Sequence, residues 1–398
     1  MIRARVLFHL LAMVITMSLL AACSGGGQWP SARAPATAPD AGGMGVMTGQ
    51  GAMPGMTPAG DAVKVGLILP LSGPQGAIGK AMEQAAQLAL FDMGQANFML
   101  VPRDTGGTAQ GAQRAAQDVM NEGAQIILGP LLADELRAAK TVTSSRNVPM
   151  VAFSTDWNQA GSNTYVMGFL PFIQIARVTE YAAQQGVRTA AIVAPRDSYG
   201  DTAAQVFTQA AARRGISIAA NVRYSGNSDP SLAGQLQTLA QNKSIQAVFI
   251  PVGGMKADEI SSTLSFHGLT PDRTMRLGTG LWDDNSLASR ASLQGAVFAA
   301  PSPRQYAMFE AKYRAVYGSA PPRIASLAYD ATALAAVLAR QGGAGAYQAA
   351  ALKNPNGFAG MDGIFRFTSD GMVERGLAIL QIKDRQIREV APAPATFQ

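Results

Sequence analysis

From Val63 to about Val390 the chain alternates between short, almost unbroken apolar runs and longer stretches in which apolar residues return every three or four positions. The short runs, rich in β-branched residues and bounded by Gly and Pro, predict strands; the longer ones, rich in Ala, Gln and Leu, predict helices. The pattern gives strands over Val63–Leu69, Asn97–Arg103, Gln125–Leu128 and Val148–Phe153, separated by helices over Gly79–Met93, Thr108–Asn121 and Leu132–Ser144. After a break it resumes with helices over Pro171–Gln185, Gly200–Arg213, Ser231–Gln241 and Lys256–Phe266, alternating with strands over Thr189–Ala194, Ile216–Val222, Ala247–Val252, Arg276–Gly278 and Ala296–Ala299. Two helices, Gln305–Tyr317 and Ile324–Arg340, follow, and then Gly363–Phe367 with Leu377–Ile382 predicts a hairpin around Ser369-Asp370-Gly371. Apolar strands alternating with helices imply parallel sheets covered on both faces. Two such blocks predict an α/β fold of two doubly wound lobes, with a small-ligand cleft at the C-terminal ends of the strands.

The N-terminal residues do not follow this pattern. Arg3 and Arg5 precede an apolar run from Val6 to Leu20 that is short for a membrane span, and small residues follow it, as in a signal peptide. The exit, Leu20-Ala21-Ala22-Cys23, resembles the bacterial lipobox, in which the cysteine becomes the lipidated N-terminus. The expectation is a signal segment over 1–22, lipidation at Cys23 and a membrane contact through the lipid. Residues 24–61 are dominated by Gly, Pro, Ala, Ser and Thr, with only Arg33, Asp40 and Asp61 charged. Such a stretch reads as a disordered tether over 23–61, about 35 Å across as a coil and about 130 Å when stretched.

Cys23 is the sole cysteine among 398 residues, and only two histidines are present, which excludes an intramolecular disulfide and leaves little for a metal site. The net charge of +6 is scattered, without a basic stripe and interleaved aromatics, so no nucleic-acid partner is expected. The Gly-rich turn Ser72-Gly73-Pro74-Gln75-Gly76-Ala77-Ile78-Gly79-Lys80 has neither the spacing of a P-loop nor that of a dinucleotide fingerprint. It can still present N–H groups to a ligand at a helix start. No Gly-x-Ser-x-Gly elbow occurs, and His267 reads as a helix cap. Asp283-Asp284 reads as the opening turn of a helix rather than an acid–base pair. In Arg196-Asp197-Ser198-Tyr199-Gly200-Asp201, Asp197 and Ser198 suit a helix cap and Tyr199 would sit at the cleft mouth. No catalytic residue, metal or cofactor is expected.

Val65-Gly66-Leu67-Ile68-Leu69-Pro70-Leu71-Ser72-Gly73, Ile127-Leu128-Gly129-Pro130, Val148-Pro149-Met150-Val151-Ala152-Phe153-Ser154-Thr155 and Asp197-Ser198-Tyr199-Gly200-Asp201, in this order, resemble the type I periplasmic binding-protein fold, specifically the leucine/isoleucine/valine-binding group. The resemblance covers about 63–390. It implies three crossovers, near 165–170, 294–300 and 355–362. One lobe would hold about 62–167 and 297–355, the other about 168–296 and 356–398. It also implies that Ser154 and Thr155 belong to a loop holding a ligand's α-carboxylate and that Tyr199 covers the ligand. Leu132 stands near where the binders offer a serine. Trp282 and Asp283 stand near Gly280, where they offer an acid for the α-ammonium. With Ser72, these are the candidate ligand-binding residues. Gly129-Pro130-Leu131-Leu132, Gly168-Phe169-Leu170-Pro171 and Ala194-Pro195-Arg196-Asp197-Ser198-Tyr199-Gly200-Asp201 look like the penicillin-binding protein activators, outer-membrane lipoproteins that reach a peptidoglycan synthase. The expectation is a non-enzymatic lipoprotein at the periplasmic face of the envelope, lipid-anchored in the outer membrane, regulating a penicillin-binding protein. The alternative is a solute-binding component that delivers a small, amino-acid-like ligand to an ABC permease.

Overall fold

The computed structural model describes residues 62–94, 98–226, 228–342 and 345–397. The expected signal segment, Cys23 and the tether to residue 61 lie outside the described residues. The first lobe opens with β1 (Val63–Leu69), α1 (Gly76–Met93), β2 (Phe98–Asp104), α2 (Ala109–Asn121), β3 (Ile126–Leu128), α3 (Ala133–Ser145), β4 (Met150–Ala152) and β5 (Thr164–Val166). The second contributes α4 (Pro171–Gln184), β6 (Thr189–Pro195), α5 (Ser198–Arg213), β7 (Ser217–Tyr224), α6 (Leu232–Gln241), β8 (Ala247–Phe249), α7 (Gly254–Phe266), β9 (Met275–Gly278), α8 (Asn285–Ala288) and β10 (Val297–Ala300). The chain returns through α9 (Pro303–Tyr317), α10 (Ala325–Gly342), α11 (Ala349–Leu352), β11 (Phe365–Phe367) and β12 (Val373–Arg375), then ends with β13 (Ala378–Lys383) and β14 (Gln386–Ala391).

Helix starts follow local chemistry. Thr108 caps α2 by accepting from the Gly111 N–H at 3.0 Å, and Asp197 caps α5 by accepting from Gly200 at 2.7 Å. Pro171 and Pro303 open α4 and α9, where a missing N–H costs nothing.

The first sheet is wholly parallel, in the order β2-β1-β3-β4-β5. The second runs β14-β13-β10-β9-β8-β6-β7, parallel from β10 to β7 and antiparallel through β13 and β14. Read from β6, its parallel part repeats the order of the first sheet, so both lobes are doubly wound and each has a switch point where the strand order reverses. Helices α1 and α10 cover one face of the first sheet, and α2 and α3 cover the other. In the second, α4 and α5 lie against one core, and α6 and α7 against the other.

The expected boundaries need correction in the second half of the chain. Val297–Ala300, expected in the first lobe, is fully buried between β9 and β13 of the second sheet. The chain therefore crosses back at 301–302. The stretch after 355, expected in the second lobe, folds onto the first. Phe365, Phe367 and Val373 enter the first core because the alternation Phe365-Arg366-Phe367 sends both rings inward. The last crossing is at 376–377, and only the first, at 167–170, falls where it was expected. The hairpin likewise re-pairs. β11 pairs with β12, which the sequence pattern left unassigned, and Leu377–Ile382 joins the second sheet.

The turn between β1 and α1 is held by Asp104 rather than left open to a ligand. Its Oδ1 accepts from the backbone N–H groups of Leu71 (2.8 Å), Ser72 (3.2 Å) and Gly106 (2.7 Å). Partial burial would raise its pKa, but hydrogen bonds from the Ser72 side chain and from these N–H groups outweigh it and hold the carboxyl below its ordinary value. A lowered folded-state pKa adds stability above the unfolded value, and that stability is lost as pH falls through the folded one. Asp104→Asn is therefore expected to cost about 1 kcal/mol at neutral pH, solvent screening keeping it small, and to flatten the loss of stability below about pH 4. Urea titrations between pH 3 and 7 read both effects.

Candidate functional site

Between the lobes lies a cavity of about 440 Å³. The first lobe supplies Thr155 and Trp157 from the loop after β4, and Arg323 from the turn into α10. The crossovers supply Phe169 and Pro301, with Pro171 and Ala300 beside them. From the second lobe come Gln174 of α4, Tyr199 of α5, and Gly280, Leu281 and Asp283 from the loop after β9. Most of these loops leave the C-terminal ends of parallel strands, where α/β sheets place their ligands. A more open depression of about 610 Å³ runs along β7 and α6, and no charged side chain lines it.

Each lobe fixes its polar groups before any ligand arrives. The Tyr199 hydroxyl lies 3.0 Å from Thr279 Oγ1. Burial, with the nearby Asp197 carboxylate, pushes its phenol pKa up against that hydrogen bond, so it is a neutral hydroxyl across the physiological range. Gln174 Oε1 accepts from the Gly280 N–H at 2.8 Å and pins the loop that carries Asp283. Asp284 caps α8 by accepting from the Ser286 N–H at 2.8 Å, so Asp283 alone of the two faces the cavity. Burial raises the Asp283 carboxyl pKa, Arg323 opposes that, and Asp362 and Asp284 add to it.

Arg323 is the basic side chain lining the cavity. Its Nη1 donates to Asp362 Oδ1 at 2.6 Å and to Ser326 Oγ at 3.1 Å. The guanidinium lies 4.1 Å from the Tyr306 ring centroid and 5.4 Å from that of Phe169. Nε approaches Asp283 Oδ2 of the opposite lobe at 3.9 Å, an ion pair across the cleft. Nη2 is buried without a hydrogen-bond partner.

Thr155, Tyr199 and Asp283 are thus brought together, and the other candidates are not. Ser72 is exposed on the turn held by Asp104. Leu132 is half-buried at the start of α3, its N–H donating to Glu135 Oε2 at 3.0 Å. Ser154 is buried, and its Oγ accepts from the Asp156 N–H at 3.1 Å, shaping the loop rather than facing the cavity. Trp282 is a core residue: fully buried, it donates from Nε1 to the Val252 carbonyl at 2.7 Å and packs edge-on against Phe298. Sequence reasoning missed Arg323, Gln174, Trp157, Phe169 and Leu281. Arg323 had no local signal, because Asp362, which orients it, lies 39 residues away.

Among the described residues, no group of three or more His, Cys, Asp or Glu side chains is placed to hold a metal ion. Solved structures with this fold include a branched-chain amino acid ABC transporter periplasmic ligand-binding protein from Burkholderia xenovorans, with 17% identity, coverage of 84% of this chain and 95% of that one, and a TM-score of 0.67. A solute-binding protein of an ABC transporter from Rhodopseudomonas palustris, in complex with 3,4-dihydroxybenzoic acid, shares 20% identity over 85% and 98% of the two chains, with a TM-score of 0.60. The branched-chain amino acid transporter substrate-binding protein LivJ from Streptococcus pneumoniae, in complex with isoleucine, shares 19% over 83% and 100%, with a TM-score of 0.58. At these identities the likeness is one of fold. No curated protein matches the sequence. The family model described as periplasmic binding protein matches residues 62–386, the whole of both lobes short of the last strand's end, and the chain belongs to that family.

Proposed function

We propose that the chain captures a small polar solute between its lobes and presents it to an ABC permease. The observation that carries this is a cavity of about 440 Å³, lined from both lobes and two crossovers, with Tyr199, Asp283 and Arg323 set among aromatic and apolar walls. Its size and mixed lining are those of a small-ligand site. The fold it shares with solute-binding proteins of ABC transporters supports the same reading. A screen of amino acids, small carboxylates and sugars by thermal shift and calorimetry tests it. A true ligand at 100 times its Kd stabilises the protein by about 2.7 kcal/mol. Absence of any binding at millimolar concentration would sink the proposal.

Regulation of a peptidoglycan synthase rests on the short motifs alone and ranks second. Pull-down and glycan-synthesis assays with purified penicillin-binding proteins distinguish it, because solute capture predicts no rate change. Lipidation at Cys23 is compatible with either role and would hold the protein at the periplasmic face. Cys23→Ala is expected to move it from the membrane to the soluble fraction and to abolish labelling by a radioactive fatty acid. Retention in the membrane with undiminished labelling would refute the anchor.

A further inference from the structure

We propose that closing of the two lobes is coupled to uptake of a proton, because closure carries the Asp283 carboxylate of the second lobe against a buried charge cluster at the hinge whose arginines are already matched. The proposal goes beyond solute capture and needs no ligand, so the two readings fail separately.

The cluster holds two cations and two anions, all on the first lobe. Arg323 Nη1 donates to Oδ1 of the fully buried Asp362 at 2.6 Å, and Arg375 Nη1 lies 3.8 Å from Oδ2 of the buried Asp330. The crossovers are tied to it. Arg375 directly precedes the last of them and donates to the Met167 carbonyl of the first at 3.2 Å. Both guanidinium groups lie over the ring of Phe169, also in the first crossover, at 5.4 and 5.6 Å from its centroid. Rotation of one lobe against the other about these crossovers keeps the four charges together and moves Asp283 relative to them.

Asp283 is thus a fifth charge, added when the lobes meet. Its Oδ2 stands 3.9 Å from Arg323 Nε, beyond hydrogen-bonding distance, while Asp362 holds the same guanidinium by a hydrogen bond. Three carboxylates then share two arginines. Burial raises the Asp283 carboxyl pKa; Arg323 opposes it, and Asp362 from the approach to β11 and Asp284 from the same loop reinforce it. Tyr306 of α9 and Tyr199 of α5, whose phenol pKa values burial also raises, stay neutral and offset nothing. With the lobes apart, Asp283 escapes the burial and the Asp362 charge, and its pKa returns toward the ordinary value near 4. A carboxyl whose pKa is higher in the closed form favours closure fully below its open-form value, and that preference is lost as pH rises through the closed-form one. The side chains of Arg323 and Asp283 are 29% and 30% exposed, so screening holds the coupling to a few-fold.

The test is the distance between the lobes in the dialysed, unliganded full-length chain, read by double electron–electron resonance. Spin labels go on Gln110→Cys of α2 and Gln205→Cys of α5, both exposed, in a Cys23→Ala background. From pH 4.5 to pH 8 the ratio of closed to open forms is expected to fall at least threefold. Asp283→Asn, or Asp283→Ala should that chain not fold, is expected to raise the ratio at pH 8 at least threefold and to leave less than a 1.5-fold change with pH. Lobe distances that do not change with pH, or that lengthen in acid, overturn the proposal. So does a folded Asp283 variant that keeps the full pH dependence. A variant whose lobes stand further apart than before at pH 8 also overturns it, because the ion pair with Arg323 would then be what holds them together. Absence of solute binding in the ligand screen sinks solute capture and leaves this result untouched.

Discussion

Asp362→Ala is expected to lower the free energy of unfolding by about 3–5 kcal/mol, the range for removing one partner of a buried ion pair. Asp362 is fully buried, its Oδ1 taking Arg323 Nη1 at 2.6 Å and its Oδ2 taking Ser326 Oγ at 2.7 Å. Close enough for Asp362 to act on both its members lies a second buried pair, Asp330 with Arg375, whose Oδ2 and Nη1 are 3.8 Å apart. Arg375 also donates to the carbonyl of Met167 in the first crossover at 3.2 Å, and Asp330 accepts from the Met361 N–H at 2.7 Å. Four charges therefore join the start of α10, the approach to β11, the end of β12 and a crossover. Without Asp362 the two arginines keep only Asp330 within the cluster and, for Arg323, the 3.9 Å contact with Asp283 across the cleft. Urea denaturation followed by circular dichroism at pH 7.5 measures the cost, and a loss below about 1 kcal/mol would mean that water or relaxation compensates.

The same cluster gives a pH dependence of defined sign. Burial, reinforced by Asp362, pushes the Asp330 carboxyl up to about 7, with Arg375 opposing. A carboxyl whose pKa is raised in the folded state takes up a proton on folding. Its favourable contribution is therefore complete below the unfolded value near 4 and is lost as pH rises through about 7. In Asp362→Ala that slope should flatten, because Asp330 loses the negative neighbour and keeps Arg375.

The fold was legible because its signal is periodic. Buried parallel strands such as Ile126–Leu128 and Ala247–Phe249 are apolar on both faces, and the helices between them carry one apolar stripe. What the pattern could not carry was the partner of each strand. Val297–Ala300 reads the same whether it completes the first sheet or the second, and β11 pairs with a three-residue strand too short to show alternation. The site divides in the same way. Tyr199 was found because a cap, Asp197, fixes its place at the start of a helix. Thr155 came from the resemblance, which places it in a ligand-holding loop, and not from the periodic pattern. Arg323 was hidden because its position depends on Asp362 and on a ring, Tyr306, from a different helix.

Trp282 marks the limit of reading a loop by its chemistry, and its replacement by alanine is expected to cost about 3–5 kcal/mol through the cavity and the lost hydrogen bond to Val252. Its ring lies against Gly278, the last residue of β9, where an added Cβ would come within 2.2 Å of the indole Cδ2. That approach is far below van der Waals contact, and neither the strand nor the fully buried ring can easily retreat. Gly278→Ala is therefore expected to destabilise by at least the 1–3 kcal/mol of ordinary overpacking. In a Trp282→Leu background, the smaller side chain vacates the space the new methyl needs. The double variant should consequently be more stable than the sum of the two single losses, by about 1 kcal/mol or more. Strict additivity would mean that the strand end moves instead. The distinction reaches the site, because Gly280 and Asp283 follow on the same turn. If the strand end moves in Gly278→Ala, ligand affinity falls together with stability. If the ring alone shifts, Asp283 stays opposite Arg323 and affinity is kept.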